Sequence, residues 1–249
     1  VTAWELAKTE SEERNAISLP SRNGVYLQFE SAPDSELITK SLENIKSDIR
    51  LLSVRLEAET NTTIATVHIP KGQENYFIEK VQDYKEKNIP VSGKPKNQPL
   101  IDSIENIRLA LLISFWFDDE DLIPGKESVW CEAWLCRDDN ETTERFCSLC
   151  CQLGILYKED CLLQFPERTV ILIKASTMDL TNLISASDDI AEFRRAKETA
   201  RFFLDMENKD QFEWVKELLG RMQINNDSQV TVCIFDTGAN NGHPLIEPV

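Results

Sequence analysis

The alternation of apolar and polar residues predicts a run of short strands and amphipathic helices in the first half of the chain. Apolar residues alternate in three segments that we interpret as strands, at 24–30, 49–59 and 64–69. Helical spacing runs from Pro33 to Ile45 and again from Glu74 to Lys87. After a linker rich in proline, the segment from Leu100 to Phe117 would supply a last strand. The predicted order over residues 24–117 is therefore βαββαβ.

The same order recurs in residues 118–196. Four strands are predicted there, at 129–136, 155–164, 169–175 and 190–196. Two helices are predicted between them, at 142–153 and 178–185. Two βαββαβ units in tandem indicate an α+β protein of two ferredoxin-like units, in which helices cover one face of each antiparallel sheet.

The remaining segments divide into three parts. Residues 1–23 form an N-terminal extension, and residues 197–228 have the pattern of a helical connector. Residues 229–249 begin with a β-rich run, from Gln229 to Phe235, that reads as a buried strand. This gives five predicted segments in all.

Composition and charge exclude several classes of function. The chain has 249 residues with 27 Lys+Arg against 43 Asp+Glu, which gives a formal charge of −16. Nucleic acids and anionic membrane surfaces are bound through clustered basic residues, so we expect neither as a partner. No apolar run approaches the roughly 18 residues needed to span a bilayer, and no signal peptide is visible.

Six of the seven cysteines lie between Cys131 and Cys161. We expect most of them to be reduced, buried thiols of a cytoplasmic protein, which behave as small apolar side chains. The alternative is a zinc site that uses the pair Cys147 and Cys150, two residues apart. Because Cys131 and Cys136 would point to opposite faces of one strand, we expect no metal and no cofactor.

The most specific motif follows the β-rich run near the end of the chain. The run leads directly into Asp236-Thr237-Gly238, and His243-Pro244 follows within a few residues. A carboxylate at the end of a buried strand, followed by a glycine that permits a sharp turn, is a common way to present a catalytic group. Both aspartic proteases and subtilases have Asp-Thr-Gly after an apolar strand.

The His243-Pro244-Leu245 element resembles the subtilase pattern, whereas aspartic proteases lack it. Two other segments resemble a bacterial subtilase group with an extended N-terminal region: 165–170 (FPERTV) and 191–197 (AEFRRAK). The resemblance implies that 229–249 begins an α/β subtilisin-like catalytic domain in which Asp236 is the catalytic aspartate. Thr237, Gly238, His243 and Pro244 would support that motif. It also implies a bacterial, cytoplasmic enzyme, and an AAA-type ATPase as a partner.

The chain has only two histidines, and neither is followed by the Gly-Thr of the subtilase general base. His243 belongs to the His-Pro element, and His68 reads as a partly exposed strand residue. We therefore expect the catalytic histidine and serine downstream, and expect this chain alone to be inactive.

The resemblance implies that the chain is the N-terminal regulatory region of a subtilisin-like serine endopeptidase. Its second unit would be prodomain-like and would bind the enzyme's own downstream catalytic domain, which acts on peptide or protein substrates. The first unit would be an additional interaction module. The alternative is a non-catalytic protein-interaction module built from tandem ferredoxin-like units.

Overall fold

The computed structural model describes residues 2–137, 139–197 and 206–223, together with Pro244. It is a mixed α+β structure with two four-stranded antiparallel sheets. Its strands are β1 Val25–Glu30, β2 Arg50–Glu57, β3 Thr62–Ile69, β4 Asn106–Leu109, β5 Val129–Leu135, β6 Leu156–Phe165, β7 Arg168–Ala175 and β8 Ile190–Arg195. The described α-helices are α1 Thr2–Ala16, α2 Tyr76–Glu86, α3 Gln98–Ser103, α4 Leu112–Phe115, α5 Asn140–Leu153, α6 Thr177–Ala186 and α7 Asn208–Arg221.

The chain divides into two units, Val1–Ala196 and Lys197–Val249. Both sheets belong to the first unit, so contacts between them are contacts within one body. The described part of the second unit consists mainly of α7, which confirms the prediction of a helix in the connector.

The strands of the two sheets have the same spatial order when the strands of each half are numbered along the sequence. The first sheet runs β2-β3-β1-β4 and the second runs β6-β7-β5-β8, with every neighbouring pair antiparallel. In each sheet the first strand of the half is central, flanked by the third and fourth strands. Residues 24–117 and residues 118–196, called the first and second halves below, therefore repeat one topology.

Local sequence explains where the second half's helices begin and end. The Asp139 side chain accepts a hydrogen bond from the Thr142 backbone at the start of α5, and Gly154 ends that helix with a left-handed φ of 70°. Ser176 and Asp179 form a reciprocal capping box at the start of α6. Both helices were predicted from their spacing and are confirmed.

The helix predicted from Pro33 to Ile45 is wrong. The structure has two 3₁₀ turns there, Thr39–Ser41 and Ile45–Ser47, and Ile45 is 85% exposed. Asp34 and Asp48 have positive φ angles, which interrupt a right-handed helix on both sides of the predicted stripe.

Two other segments differ from the sequence-based expectation. The predicted last strand of the first half, Leu100–Phe117, is a strand only over Asn106–Leu109, between α3 and α4. The N-terminal extension contains α1, which the sequence analysis did not predict because its apolar residues form no continuous stripe.

The buried apolar residues form two clusters. One lies beneath the first sheet's helices and contains Val25, Phe29 and Val67. The other lies between the second sheet and its helices, and it extends into the first half through Tyr26, Leu52, Phe115 and Trp116. The two halves therefore share a core.

The segment that links the halves also covers one edge of the second sheet. The Phe117 backbone N–H donates to the Phe193 carbonyl over 3.0 Å, and the Arg195 N–H donates to Asp118 over 2.7 Å. Strand β8 is thereby protected, whereas β6 forms the other edge of that sheet. Among the described helices, none is long and apolar enough to cross a membrane.

Candidate functional site

The residues of the predicted catalytic motif lie almost entirely outside the described part of the chain. Asp236, Thr237, Gly238 and His243 are not among the described residues, and Pro244 is an exposed turn residue. The geometry of the motif therefore stays a prediction.

The described chemistry is concentrated where the two halves meet. Three neighbouring strands of the first sheet each place one polar side chain on the same face. The strand register sets Arg50 of β2 opposite His68 of β3, and His68 opposite Tyr26 of β1. Residues opposite each other in antiparallel strands point to the same face, so the three side chains form a row.

Arg50 connects this row to the second half. Its Nη1 donates to the Cys136 Sγ over 2.8 Å, and its Nη2 donates to the Asp188 carbonyl over 2.9 Å. The carboxylates of Asp188 and Asp189 each lie 3.6 Å from the guanidinium. We call these six residues, Tyr26, Arg50, His68, Cys136, Asp188 and Asp189, the junction cluster.

Asp189 is the most buried acid of the junction cluster, with only 3% of its surface exposed. Burial raises the pKa of its carboxyl above the usual range, while hydrogen bonds from Arg145 oppose that shift. Arg145 donates to Asp189 Oδ2 twice, through Nε over 2.9 Å and through Nη2 over 2.7 Å. The Asp189 carbonyl accepts from the Cys136 N–H, so this residue ties the end of β5 to the start of β8.

His68 is fully buried, so the expectation of a partly exposed strand residue was wrong. Its Nδ1 lies 3.1 Å from Arg50 Nη2, and its Nε2 lies 3.0 Å from the Asn23 carbonyl oxygen. Because Arg50 can only donate and a carbonyl can only accept, the ring is neutral with its proton on Nε2. Burial, followed by the charge of Arg50, lowers the pKa of His68 to about 3.

Gly24 allows the chain to approach His68 closely. It has a φ of 123°, and a Cβ at this position would lie 2.2 Å from the Ile69 carbonyl oxygen and 3.0 Å from His68 Nε2. A side chain would therefore displace the backbone that presents the Asn23 carbonyl to the histidine.

The junction cluster is not arranged for nucleophilic catalysis. Burial raises the pKa of the Cys136 thiol, and Arg50 only partly opposes that shift. Both ring nitrogens of His68 are engaged, by Arg50 and by the Asn23 carbonyl, and neither contacts the Cys136 thiol. A thiol with a raised pKa and no adjacent base is a weak nucleophile at neutral pH. Because Arg50 binds residues of both halves, the junction cluster holds the two halves together.

Donors from the N-terminal extension and from the first half bind the last carbonyls of α6 and the residue that follows it. Arg22 donates from its backbone N–H to the Ser185 carbonyl over 3.0 Å and from Nη1 to the Ile184 carbonyl over 3.2 Å. The Tyr26 hydroxyl donates to the Ser187 carbonyl over 2.8 Å. These bonds satisfy carbonyls at the end of a helix that the helix itself leaves free.

The cysteines do not form the alternative zinc site in the described structure. Cys150 is fully buried in the core, and burial raises the pKa of its thiol to about 12. Within the described ranges, no three His, Cys, Asp or Glu side chains are placed to hold a metal ion. The six described cysteines are free thiols, of which Cys131 and Cys150 are buried as predicted and Cys151 is exposed.

A second candidate site is the face of the second sheet that its helices do not cover. Along β5, Cys131, Ala133 and Leu135 are buried beneath α5 and α6, so Trp130 and Trp134 point to the opposite face. Three apolar residues of β6, which is separated from β5 by β7, lie on the same face: Leu156, Leu163 and Phe165. These three side chains are 64%, 56% and 45% exposed.

Aromatic and cationic side chains on this open face are stacked on one another. The Trp134 and Phe165 rings are parallel within 5°, with centroids 5.7 Å apart. The Arg194 guanidinium lies 4.5 Å from the Trp134 centroid, and Lys158 Nζ lies 4.9 Å from that of Trp130. Aromatic residues and arginine are enriched at protein–protein interfaces, so this face is a candidate binding surface.

Neither the junction cluster nor the open face of the second sheet is predicted as a site from the sequence. Arg50 alternates with apolar residues near the start of a strand, which is also the pattern of an exposed edge residue. The sequence does indicate the open face through Trp130 and Trp134, which lie four positions apart in a predicted strand and therefore on the same face of it.

No protein-family model, curated protein or solved structure matches the chain.

Replacing Arg50 with methionine should destabilise the protein strongly. The variant removes Arg50 from Asp189 and from the Asp188 carbonyl, while Asp189 keeps its bonds from Arg145. Because part of the pairing remains, we expect a loss below the about 3–5 kcal/mol of a fully broken buried ion pair. Arg137→Met is the matched control, because Arg137 pairs with Asp48 at the surface, where such pairs contribute about 1 kcal/mol or less. Urea unfolding monitored by circular dichroism measures the free energy of unfolding of both variants. Equal losses in the two would contradict the role of Arg50 in holding the halves together.

The free energy of unfolding should decrease as the pH is lowered below about 6.5, the ordinary pKa of histidine. His68 has a pKa of about 3 when folded and about 6.5 when unfolded, so protonation favours the unfolded chain. Its contribution is complete well above pH 6.5 and is lost progressively as the pH falls through 6.5 towards 3. We expect a slope of about 1 kcal/mol per pH unit between pH 6.5 and 5.5.

The matched variant is His68→Gln, which does not titrate. It should lose most of that slope, while His243 is unchanged in both proteins. An identical pH dependence of the free energy of unfolding in the two proteins would exclude His68 as its source.

Proposed function

We propose that this chain is the N-terminal regulatory region of a subtilisin-like serine endopeptidase. The observation that carries the proposal is the motif Asp236-Thr237-Gly238 with His243-Pro244 after a β-rich run. In the complete enzyme, Asp236 would accept a hydrogen bond from the catalytic imidazole and stabilise its charged form. Thr237 and Gly238 would shape the turn, and His243 with Pro244 would support it.

The base and the nucleophile would come from a catalytic domain that continues beyond Asp236. His68 is unsuitable as the base because it is buried, neutral and bonded at both nitrogens. This supports the interpretation that the 249 residues alone do not hydrolyse peptides, and that the enzyme's peptide or protein substrates bind elsewhere.

We further propose that each half is a ferredoxin-like unit. The shared strand order and the βαββαβ order of the second half support this assignment. The second half, residues 118–196, would be the prodomain-like module, and its open face with Trp134 and Phe165 would pack on the catalytic domain. The first half, residues 24–117, would be an additional interaction module, with the connector 197–228 leading to the catalytic segment.

A cytoplasmic, bacterial location is part of the same proposal. Free cysteines at six described positions suit a reducing compartment, where thiols are not oxidised to disulfides. An AAA-type ATPase is the partner that the subtilase group implies for the complete enzyme.

A second candidate function is a non-catalytic protein-interaction module. The open face of the second sheet favours it, because that surface could bind a partner whether or not a protease domain follows. The two candidates differ in whether binding inhibits peptide hydrolysis.

Replacing Asp236 with asparagine in the full-length enzyme should abolish most of its peptidase activity. The amide cannot stabilise an imidazolium, and the comparable change in a serine protease lowers kcat by about 10⁴-fold. Peptide hydrolysis by the purified enzyme measures the effect, with Asp210→Asn, an exposed position on α7, as the control. Near-normal turnover of the Asp236 variant would remove the protease assignment.

Adding the 249-residue chain to a separately produced catalytic domain should inhibit peptide hydrolysis. Phe165→Ala on the open face should raise the inhibition constant by about tenfold, as for an interface hot spot. Met178→Ala, at a 73% exposed position on α6, should leave it unchanged. Absence of inhibition by the unaltered chain would favour the interaction module.

A further inference from the structure

The last two turns of helix α5 carry three cysteines, and the helix divides them between two environments. Cys150 is fully buried in the core of the second half. Cys151 is exposed and Cys147 is partly buried. Residues at positions i and i+4 of an α-helix are neighbours on one face, so Cys147 and Cys151 lie side by side on the accessible side of α5. We call these two residues the thiol pair. It is not the pair Cys147 and Cys150 that the sequence spacing indicated.

The turn after α5 brings a tyrosine to the thiol pair. Gly154 ends the helix with a left-handed φ, and the chain returns as strand β6. The Cys151 thiol donates to the Tyr157 hydroxyl over 3.7 Å, and this hydroxyl donates to Glu159 Oε1 over 3.1 Å. Burial raises the pKa of the Cys147 thiol, the charge of Glu159 adds to that shift, and the Tyr157 hydroxyl opposes it. Two thiols, a hydroxyl and a carboxylate therefore meet at one place.

The spacing of the thiol pair suits one bridging atom better than a disulfide. The Cβ atoms of residues i and i+4 in a helix are about 5–6 Å apart. A disulfide requires a Cβ–Cβ distance of about 3.5–4.5 Å, so it would distort the end of α5. Metal–thiolate bonds of roughly 2.3 Å allow one ion between the two sulfurs to span the longer distance with the helix intact.

The number of available ligands selects the metal. A structural zinc site needs four protein ligands, and in the described part of the chain no three His, Cys, Asp or Glu side chains are placed to hold one ion. Thiolates are soft ligands that select Cu(I), an ion that is stable with two sulfur ligands in a linear arrangement. The surroundings also favour a cation, because Glu159 lies beside the thiols and the chain has a net charge of −16.

We propose that Cys147 and Cys151 bind one Cu(I) ion between them. Each thiol gives its proton to solvent, so the ion is held by two thiolates and two protons are released. The Tyr157 hydroxyl, already in contact with Cys151, then donates to a thiolate and orients it. The ion joins two successive turns of α5 and stabilises the folded chain, to which it binds in preference to the unfolded chain. This site lies in the second half and does not depend on the protease assignment.

The test is a competition for Cu(I) between the 249-residue chain and the chromogenic chelator bicinchoninate, without oxygen and with a thiol-free reductant. We expect the chain to remove one Cu(I) per molecule from the chelator. Cys147→Ser and Cys151→Ser should each lower the affinity by at least about 100-fold, and Tyr157→Phe by about tenfold. Cys161→Ser is the matched control, because it removes a thiol of β6 and leaves the thiol pair intact. It should bind Cu(I) as the parent does.

The same samples give the outcomes that would overturn the proposal. X-ray absorption should show two sulfur neighbours of copper, whereas a third would place another cysteine at the ion. Copper should leave the sedimentation coefficient unchanged, whereas a copper-dependent dimer would mean that the ion joins exposed thiols of two chains. Equal losses of affinity in Cys151→Ser and Cys161→Ser would mean adventitious binding to any accessible thiol. Absence of Cu(I) uptake by the parent chain, shown to be folded by circular dichroism, would also exclude the site.

Discussion

The arrangement of the first 196 residues depends on one largely but not fully buried cation, the guanidinium of Arg50, whose side chain is 13% exposed. The Arg50 guanidinium carries a permanent charge and several donors in a fixed plane, and a buried charge is tolerated only with partners around it. Those partners come from both halves: His68 from β3, Cys136 from the end of β5, and the segment Asp188–Asp189. The neutral state of His68 and the position of the strand β8 both follow from this requirement.

The repeated topology makes the differences between the halves informative. Both sheets have the same strand order, yet their two faces are used differently. The polar face of the first sheet, with Gln28, Thr66 and His68, is buried against the linking segment and the second half. The corresponding face of the second sheet is open and aromatic. The first half therefore packs this face against the rest of the chain, whereas the second half leaves it largely exposed.

The sequence predicted the strands well because alternation with a period of two is a direct signature of a half-buried sheet. It predicted a helix from Pro33 to Ile45 wrongly, because four apolar residues at helical spacing were given more weight than the turn-forming Asp34 and Asp48. The junction cluster could not be predicted, since Arg50 and Asp189 are 139 positions apart and only the tertiary packing brings them together. The Asp-Thr-Gly motif at Asp236 is the reverse case, because it is visible in the sequence and lies outside the described residues.

Several contacts join residues that are far apart in the sequence, and this has a consequence for synthesis on the ribosome. The Tyr26 hydroxyl bonds to the Ser187 carbonyl, 161 residues later, and Arg14 contacts Asn182, 168 residues later. At about 5–20 residues per second, the first sheet waits roughly 8–30 s for these partners to be made. During that interval its polar face, with the guanidinium of Arg50 that the second half later covers in large part, is in contact with water. The nascent chain thus keeps this face hydrated, and the last contacts of the domain close only when β8 has left the exit tunnel.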